Sequence, residues 1–476
     1  MAFVSLSFVI FFFVLVISYH LIAYFSEQIG TKALVIQNAL LFAAGLVFYA
    51  FADLRFLPFL IYVIAVSFLS EYLCKNKTCL IIFLIADLFP LLAIKYIPFI
   101  LHTHWIFPLG ISFFTFQSIS YIVDTYKKKN PPEHNFLNTA LFISFFPVIS
   151  SGPIQRAEKL IPQFKTLRHF DYDNATDGMK LFAWGMFKKF CIADRMAVYI
   201  NYVYGNIAEQ YGLAVLFATI LYAFQIYCDF SGYTDMATGV ARYLGFDIGK
   251  NFDHPYLSKS PAEFWRRWHI SLSSWFRDYV YIPLGGSRVA LPRIYLNLLL
   301  TFLVSGLWHG STLNFVIWGL LHGIYLCIGR LAKPVWDKIK VPSFIRIFVT
   351  FCLVTFAWIF FRAENLNEAG IIINKILQVP HNVEEFFVIT NKSRIKEAIR
   401  CLFYLDNTGG ILVMILLFVL IGIFLICELI TYKQKGLVLI KRIPIFFRWG
   451  IYLFLVILII CFGNFGLSSN FIYNNF

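Results

Sequence analysis

Long apolar runs recur along nearly the whole chain, at 4–25, 33–51, 56–74, 78–98, 106–124, 136–152, 178–203, 211–228, 291–308, 312–329, 343–361, 410–432 and 446–464. Short polar or basic stretches separate them. A helix needs roughly 20 apolar residues to cross the hydrocarbon of a bilayer, so these runs predict about 11–13 transmembrane helices. The expected fold class is all-α, a polytopic membrane protein. The first run, Val4–Phe25, lacks the basic start of a cleaved signal and exceeds a signal core in length, which makes it a first transmembrane helix. No internal repeat is visible, which weighs against transporters built from inverted repeats.

Residues 229–290 interrupt the pattern: they are dense in Trp, Tyr, Arg, Asp and Gly and hold no clean span. Irregular backbone at membrane depth persists only inside protein or around a water-filled cavity, so this stretch predicts re-entrant or interfacial helices. One helix is expected over Ser260–Tyr281, with Ser260 as N-cap, Pro261 at the first helical position and Glu263 completing a capping box. Trp265, Trp268, His269, Leu272, Trp275, Phe276 and Tyr279 fall along one face, and Arg266, Arg267 and Arg277 on or near the other. Such a helix serves either as an interfacial anchor, aromatic toward lipid, or as a tunnel wall whose arginines meet an anionic donor.

Composition agrees with the pattern. The 476 residues are 59% hydrophobic and 14% charged, with a mean hydropathy of +0.72, against about 25% charged residues in soluble domains. A net charge of +14 would suggest nucleic acid in a soluble protein. Here Lys75/Lys77, Lys127–Lys129, Arg330–Lys340 and Lys433–Arg448 fit cytoplasmic loops, which puts both termini outside and leaves no role for nucleic acid. The nine cysteines form no CxxC pair, which argues against a disulfide framework or a metal site.

Two places hold ionisable groups where apolar residues are expected. Asp229, Ser231, Tyr233 and Asp235 close one apolar run, as helix caps or as groups facing a cavity. LVSGLWHG, Leu303–Gly310, ends another run on His309, next to Trp308. A histidine in such a low-dielectric place is expected to be neutral and able to accept a proton, and Gly306 and Gly310 to leave room for a substrate. His322 lies thirteen residues further on; on one continuous helix that is about 20 Å along the axis, so it is expected to pack elsewhere.

FWRRWHISLSSWFRDYVYIPLGG (Phe264–Gly286), followed by GLWHG (Gly306–Gly310), resembles the signature of the membrane-bound O-acyltransferases. YCDFSGYTDMATGVARYLGFDI (Tyr227–Ile248) and FFPVISSGPIQR (Phe145–Arg156) are similar to its bacterial branch, which modifies alginate, peptidoglycan and teichoic acid. The resemblance runs from Leu109 to Gly323. It implies helices around a central funnel or tunnel, with His309 as the family's invariant histidine and a general base for acyl transfer. His269 corresponds to the usual second histidine. Trp268, Arg266, Arg267, Asp229, Tyr233, Asp235 and Trp308 are then expected to line or orient the substrate.

The implied organisation has three parts: residues 1–125, N-terminal transmembrane helices; 126–330, the acyltransferase core; and 331–476, C-terminal transmembrane helices with an external loop at 363–409 and an external tail. The tail FIYNNF, Phe471–Phe476, resembles the acyl-carrying ending of a small partner protein in teichoic acid D-alanylation. Tyr473 is therefore a third catalytic candidate, a relay that carries acetyl, or else an aromatic anchor at the membrane surface. The reading that follows is an enzyme of the bacterial cytoplasmic membrane with no bound cofactor and acetyl-CoA as donor. Its acceptor is an extracytoplasmic glycan, peptidoglycan ahead of alginate or another exopolysaccharide. A secreted partner transferase completes the reaction, because no GxSxG elbow occurs in the chain. D-alanyl transfer and a transporter of an acyl donor are the alternatives.

Overall fold

The computed structural model describes residues 3, 5–101, 103, 108, 110–129, 131–149, 152–339, 341–380, 402–403, 410–432 and 436–465. Tyr473 and the rest of the FIYNNF tail lie outside the described residues, as do 381–401 and 404–409 of the expected external loop. Among the described residues the regular elements are helices, with no strand. Ten are long and apolar enough to cross a membrane: Leu6–Tyr24, Lys32–Ala50, Leu54–Leu73, Lys77–Ile100, Gly212–Tyr243, Leu291–His309, Leu313–Pro334, Ser343–Arg362, Ile411–Thr431 and Ile445–Phe462. Their outer faces carry large exposed apolar side chains such as Leu6, Phe13, Leu412 and Phe446. Contiguous apolar surface on that scale needs a lipid partner, and the chain is a multi-pass membrane protein.

Three predicted runs are helical without joining these ten. The 106–124 run becomes Ile111–Tyr126, in which every residue through Asp124 is buried. Its Ser112, Thr115, Gln117, Ser118 and Ser120 face protein, so the length rule set by lipid does not apply to it. The 136–152 run divides into Phe136–Ser144 and Phe146–Ile149 around an extended Phe145. The 178–203 run is interrupted by a π-helical turn, Phe187–Ala193, all seven residues of which are buried. A π-turn widens the helix locally and marks a functional or strained place more often than not.

The chain forms two compact units, each assembled from three stretches. The first comprises Met1–Trp184, Tyr233–Asn251 and His269–Trp275. Its core is the Ile111–Tyr126 helix, packed by the neighbouring Leu57–Leu73 and Lys77–Ile100 helices. Buried polar side chains tie its loops down. Asn38 donates to the Phe164 carbonyl at 2.8 Å, Gln37 to the Arg168 carbonyl at 2.9 Å and Gln117 to the Phe142 carbonyl at 3.1 Å.

The second unit comprises Gly185–Gly232, Phe252–Trp268 and Phe276–Phe476. Its central feature is the hairpin of Leu291–His309 and Leu313–Lys338. The two helices touch backbone to backbone: a Cβ on Gly306 would run into the Phe315 carbonyl, and one on Gly319 into the Phe302 carbonyl. Small residues at such a crossing let helices approach closely where lipid supplies no hydrophobic drive. That closeness sets the neighbours of His309.

Candidate active site

His309 is the last residue of the Leu291–His309 helix, and the chain reverses over Gly310–Thr312 into the next one. The imidazole is 2% exposed. Three rings meet it edge to face: Trp308 at 4.5 Å between centroids, Trp318 at 4.8 Å and Phe361 at 5.1 Å. Gly310 does not leave room for a substrate, as the sequence suggests. A Cβ there would collide with the Phe315 ring, and the space beside Gly306 holds the Phe315 carbonyl. Both glycines serve packing, and they bring Trp318 against His309.

The reversal also corrects the reading of His322. The histidines sit on two antiparallel helices instead of one, and the Trp318 ring lies 4.8 Å from His309 and 5.0 Å from His322. His322 is fully buried, and its Nδ1 accepts the indole N–H of Trp265 at 3.2 Å. The signal was WGLLHG, Trp318–Gly323, which puts Trp318 and His322 four residues apart on one helix face. Trp358 extends the aromatic wall, 6.0 Å from Trp318 and 5.2 Å from Trp268. It donates to the Tyr256 hydroxyl at 3.2 Å, which in turn donates to the Ala223 carbonyl at 2.6 Å. Trp308, His309 and Trp268 thus belong to one wall of rings.

Ser260 and Glu263 cap the next element as expected: the Ser260 hydroxyl accepts the Glu263 N–H at 3.2 Å. The single helix over Ser260–Tyr281 does not form. Pro261–Arg267 ends, Ile270–Phe276 begins, and a π-turn covers Arg277–Tyr281. The aromatic residues Trp265, Trp268, Trp275 and Phe276 are all buried in protein, so they are not a lipid-facing stripe. Of the arginines, Arg266 is exposed. Arg267 pairs with Glu263 at 2.9 Å and donates to the Asp253 carbonyl at 3.1 Å and the Tyr432 hydroxyl at 3.3 Å. Its guanidinium is occupied by the protein.

Asp229 and Ser231 are not helix caps. They lie inside the Gly212–Tyr243 helix, which continues past the apolar run. Asp229 pairs with Lys189 at 2.6 Å, Lys189 with Asp194 at 2.7 Å, and Lys188 donates to Ser231 at 2.8 Å. Both lysines come from the π-turn. This buried cluster escaped the sequence reading, which passed over Lys188 and Lys189 inside the 178–203 run. A second missed group joins Glu428 to the Tyr227 hydroxyl at 2.8 Å and to His254 Nδ1 at 3.1 Å.

His269, Tyr233 and Asp235 belong to the first unit. Tyr233 is half-buried with its ring 6.4 Å from Phe3, and Asp235, two residues on, is half-buried as well. His269 sits in the break between the two short helices with φ at +42°, a left-handed conformation that costs a residue with a Cβ ~1–3 kcal/mol. Its Nδ1 lies 3.2 Å from Asn251 Oδ1. The same oxygen accepts the Ser271 backbone N–H at 3.1 Å and the Ser271 hydroxyl at 2.8 Å. An atom that takes a backbone N–H is an acceptor, so His269 Nδ1 carries the proton and Nε2 the lone pair. Phe113 stacks on the ring at 6.3 Å, and burial pushes the imidazole's pKa down from 6.5 to about 3. The arrangement supplies a neutral imidazole whose Nδ1 proton is directed at Asn251.

Comparison with known proteins bears on the chemistry. Residues 123–367 match the MBOAT, membrane-bound O-acyltransferase, family. The chain is 36% identical to the peptidoglycan O-acetyltransferase of Helicobacter pylori over 73% of its length and 75% of that protein. It is 45% identical to the probable alginate O-acetylase of Pseudomonas aeruginosa over 57% of its length, a match that spans 52% of that protein. A teichoic acid D-alanyltransferase of Bacillus subtilis is 32% identical over 59% of the chain and 76% of its own length.

Proposed function

The chain belongs to the membrane-bound O-acyltransferase family and is an acyltransferase; on that premise we propose that it moves acetyl from cytoplasmic acetyl-CoA toward an extracytoplasmic glycan, with His309 as general base. The observation that carries this is the enclosure of His309 in Trp308, Trp318 and Phe361 at the end of a membrane-length helix. An ionisable side chain is kept in such a place for chemistry.

The step is an acyl transfer. The acceptor hydroxyl oxygen bonds to the thioester carbonyl carbon, its proton passes to His309, and the carbonyl electron pair moves onto oxygen. Collapse expels the thiolate, which takes the proton from His309, so thioester and alcohol give ester and thiol. The imidazolium formed on the way sits at a helix C-terminus, where the macrodipole favours positive charge.

Peptidoglycan is the favoured final acceptor, because the peptidoglycan relative matches the chain over the longer share of both proteins. Tyr473 in the FxYxxF ending is the proposed first acceptor, an acetyl carrier that hands on to a secreted partner transferase. The protein then works in the bacterial cytoplasmic membrane. Purified protein in liposomes is to be given labelled acetyl-CoA. Release of free thiol and label on the protein are expected, both lost in His309→Ala and, for want of an acceptor hydroxyl, both lost in Tyr473→Phe. Passage of intact thioester across the bilayer without thiol release would replace the enzyme by a transporter. Thiol release from a D-alanyl thioester alone would move the reading to teichoic acid chemistry.

A further inference from the structure

Trp265 is an indole, a donor with no acceptor lone pair, so its 3.2 Å bond to His322 Nδ1 fixes the tautomer of that ring. The lone pair is on Nδ1 and the proton on Nε2. Among the described residues neither His322 Nε2 nor Trp318 Nε1 has a hydrogen-bond partner, although both side chains are at least 99% buried. The two residues are one helical turn apart with ring centroids 5.0 Å from each other. Phe264, Trp265 and Phe302 close around His322 at 6.3, 5.0 and 6.2 Å, and Tyr325 at 5.8 Å. A buried donor without an acceptor costs roughly 1–3 kcal/mol. Two such donors on one helix face, next to the proposed base, call for an oxygen that arrives with the substrate.

We propose that Trp318 Nε1–H and His322 Nε2–H receive the carbonyl oxygen of the acyl thioester, and stabilise the negative charge it gains when the acceptor hydroxyl attacks. This rests on the reading of His309 as base. The covalent step is unchanged: the acceptor proton goes to His309, the carbonyl electron pair goes to the oxygen, and the two N–H groups share that charge without giving up their protons. Trp265 acts as a positioning residue, since its indole keeps the His322 proton on Nε2. Donors aimed at a developing oxyanion in a dry site typically contribute 10²–10³ each in turnover.

The test is steady-state thioester turnover by the full-length protein in liposomes with acetyl-CoA as donor and excess FIYNNF peptide as acceptor, across His322→Phe, His322→Gln, Trp318→Phe and Trp265→Phe. His322→Phe is expected to lower kcat by about 10²–10³-fold with KM nearly constant. His322→Gln places an amide N–H near the lost Nε2 and recovers about tenfold or more of that loss. Neither moves the pH at which kcat rises, because a donor that keeps its proton adds no titration to the profile. Trp318→Phe, a smaller change in shape, repeats the loss should His322→Phe fold poorly. Wild-type kcat in a well-folded His322→Phe overturns the proposal, as does a Gln variant no better than Phe with an effect confined to KM or melting temperature. A His309→Ala protein that still turns over removes the base and leaves the donor pair to be judged by its own variants. A wild-type protein that releases no thiol overturns both.

Discussion

His269 is held by an oxygen that cannot be a nitrogen, because Asn251 Oδ1 also takes a backbone N–H. Burial pushes the pKa of the ring from 6.5 to about 3, which makes it neutral in the fold. Above pH 6.5 the folded and unfolded chains carry the same charge at this site, and it adds no pH dependence. Between 6.5 and 3 the unfolded chain binds a proton that the folded one does not. Folding is thus expected to weaken as the pH falls through that window, by at most ~1.4 kcal/mol per pH unit. Thermal melts in detergent at about pH 7 and about pH 5 measure it. The drop should shrink in His269→Gln, and an equal drop in both proteins would assign the effect elsewhere. The left-handed φ of +42° and the bond to Asn251 were not legible in the sequence, since nothing in FWRRWHIS marks a break. No Gly or Pro stands there, and a continuous helical pattern was the natural reading.

Elements were legible where lipid dictates them. Ten predicted spans recur, nine of them near the predicted bounds and the 211–228 run extended to Tyr243, because the hydrocarbon thickness imposes length and composition together. The rule loses force where protein replaces lipid, and each departure is of that kind. The Ile111–Tyr126 helix is short and polar because its neighbours are helices. The π-turn at Phe187–Ala193 buries Lys188 and Lys189 because Ser231, Asp194 and Asp229 await them. Lys189 is the hinge of that cluster. Lys189→Met leaves two carboxylates buried without their cation, which is expected to cost ~3–5 kcal/mol. Fluorescence-detected size exclusion after heating should show the loss, with part of it restored when Asp229→Asn is added. Wild-type stability in Lys189→Met would mean that the carboxylates find other partners. The two helices of the hairpin were legible as the separate 291–308 and 312–329 runs, but the approach that puts Trp318 against His309 was not, since it depends on which glycines meet at the crossing.

At the scale of the molecule, the sequence conveys class and orientation, and the resemblance conveys chemistry. The long helices and the family match agree on a multi-pass acyltransferase. The tail with Tyr473 lies outside the described residues, and the relay stands on its motif. The expected orientation rests on the basic loops, with Lys127–Lys129 in the cytoplasm and the segment after Arg362 outside, and is still to be tested. Single cysteines at Lys128 and Glu364, introduced into a chain freed of its native cysteines, provide the check. A membrane-impermeant maleimide added to whole cells is expected to label position 364 and to reach 128 only after permeabilisation. The reverse pattern would invert the protein, and with it the side from which the thioester enters.

The helices on either side of Gly310 share a seam of touching main chain at Gly306 and Gly319, with no slack between them. The His309 ring and the Trp318 indole are consequently held at their separation by main chain rather than by side-chain choice. Any group larger than hydrogen at either glycine would pry the two rings apart while leaving both residues in place.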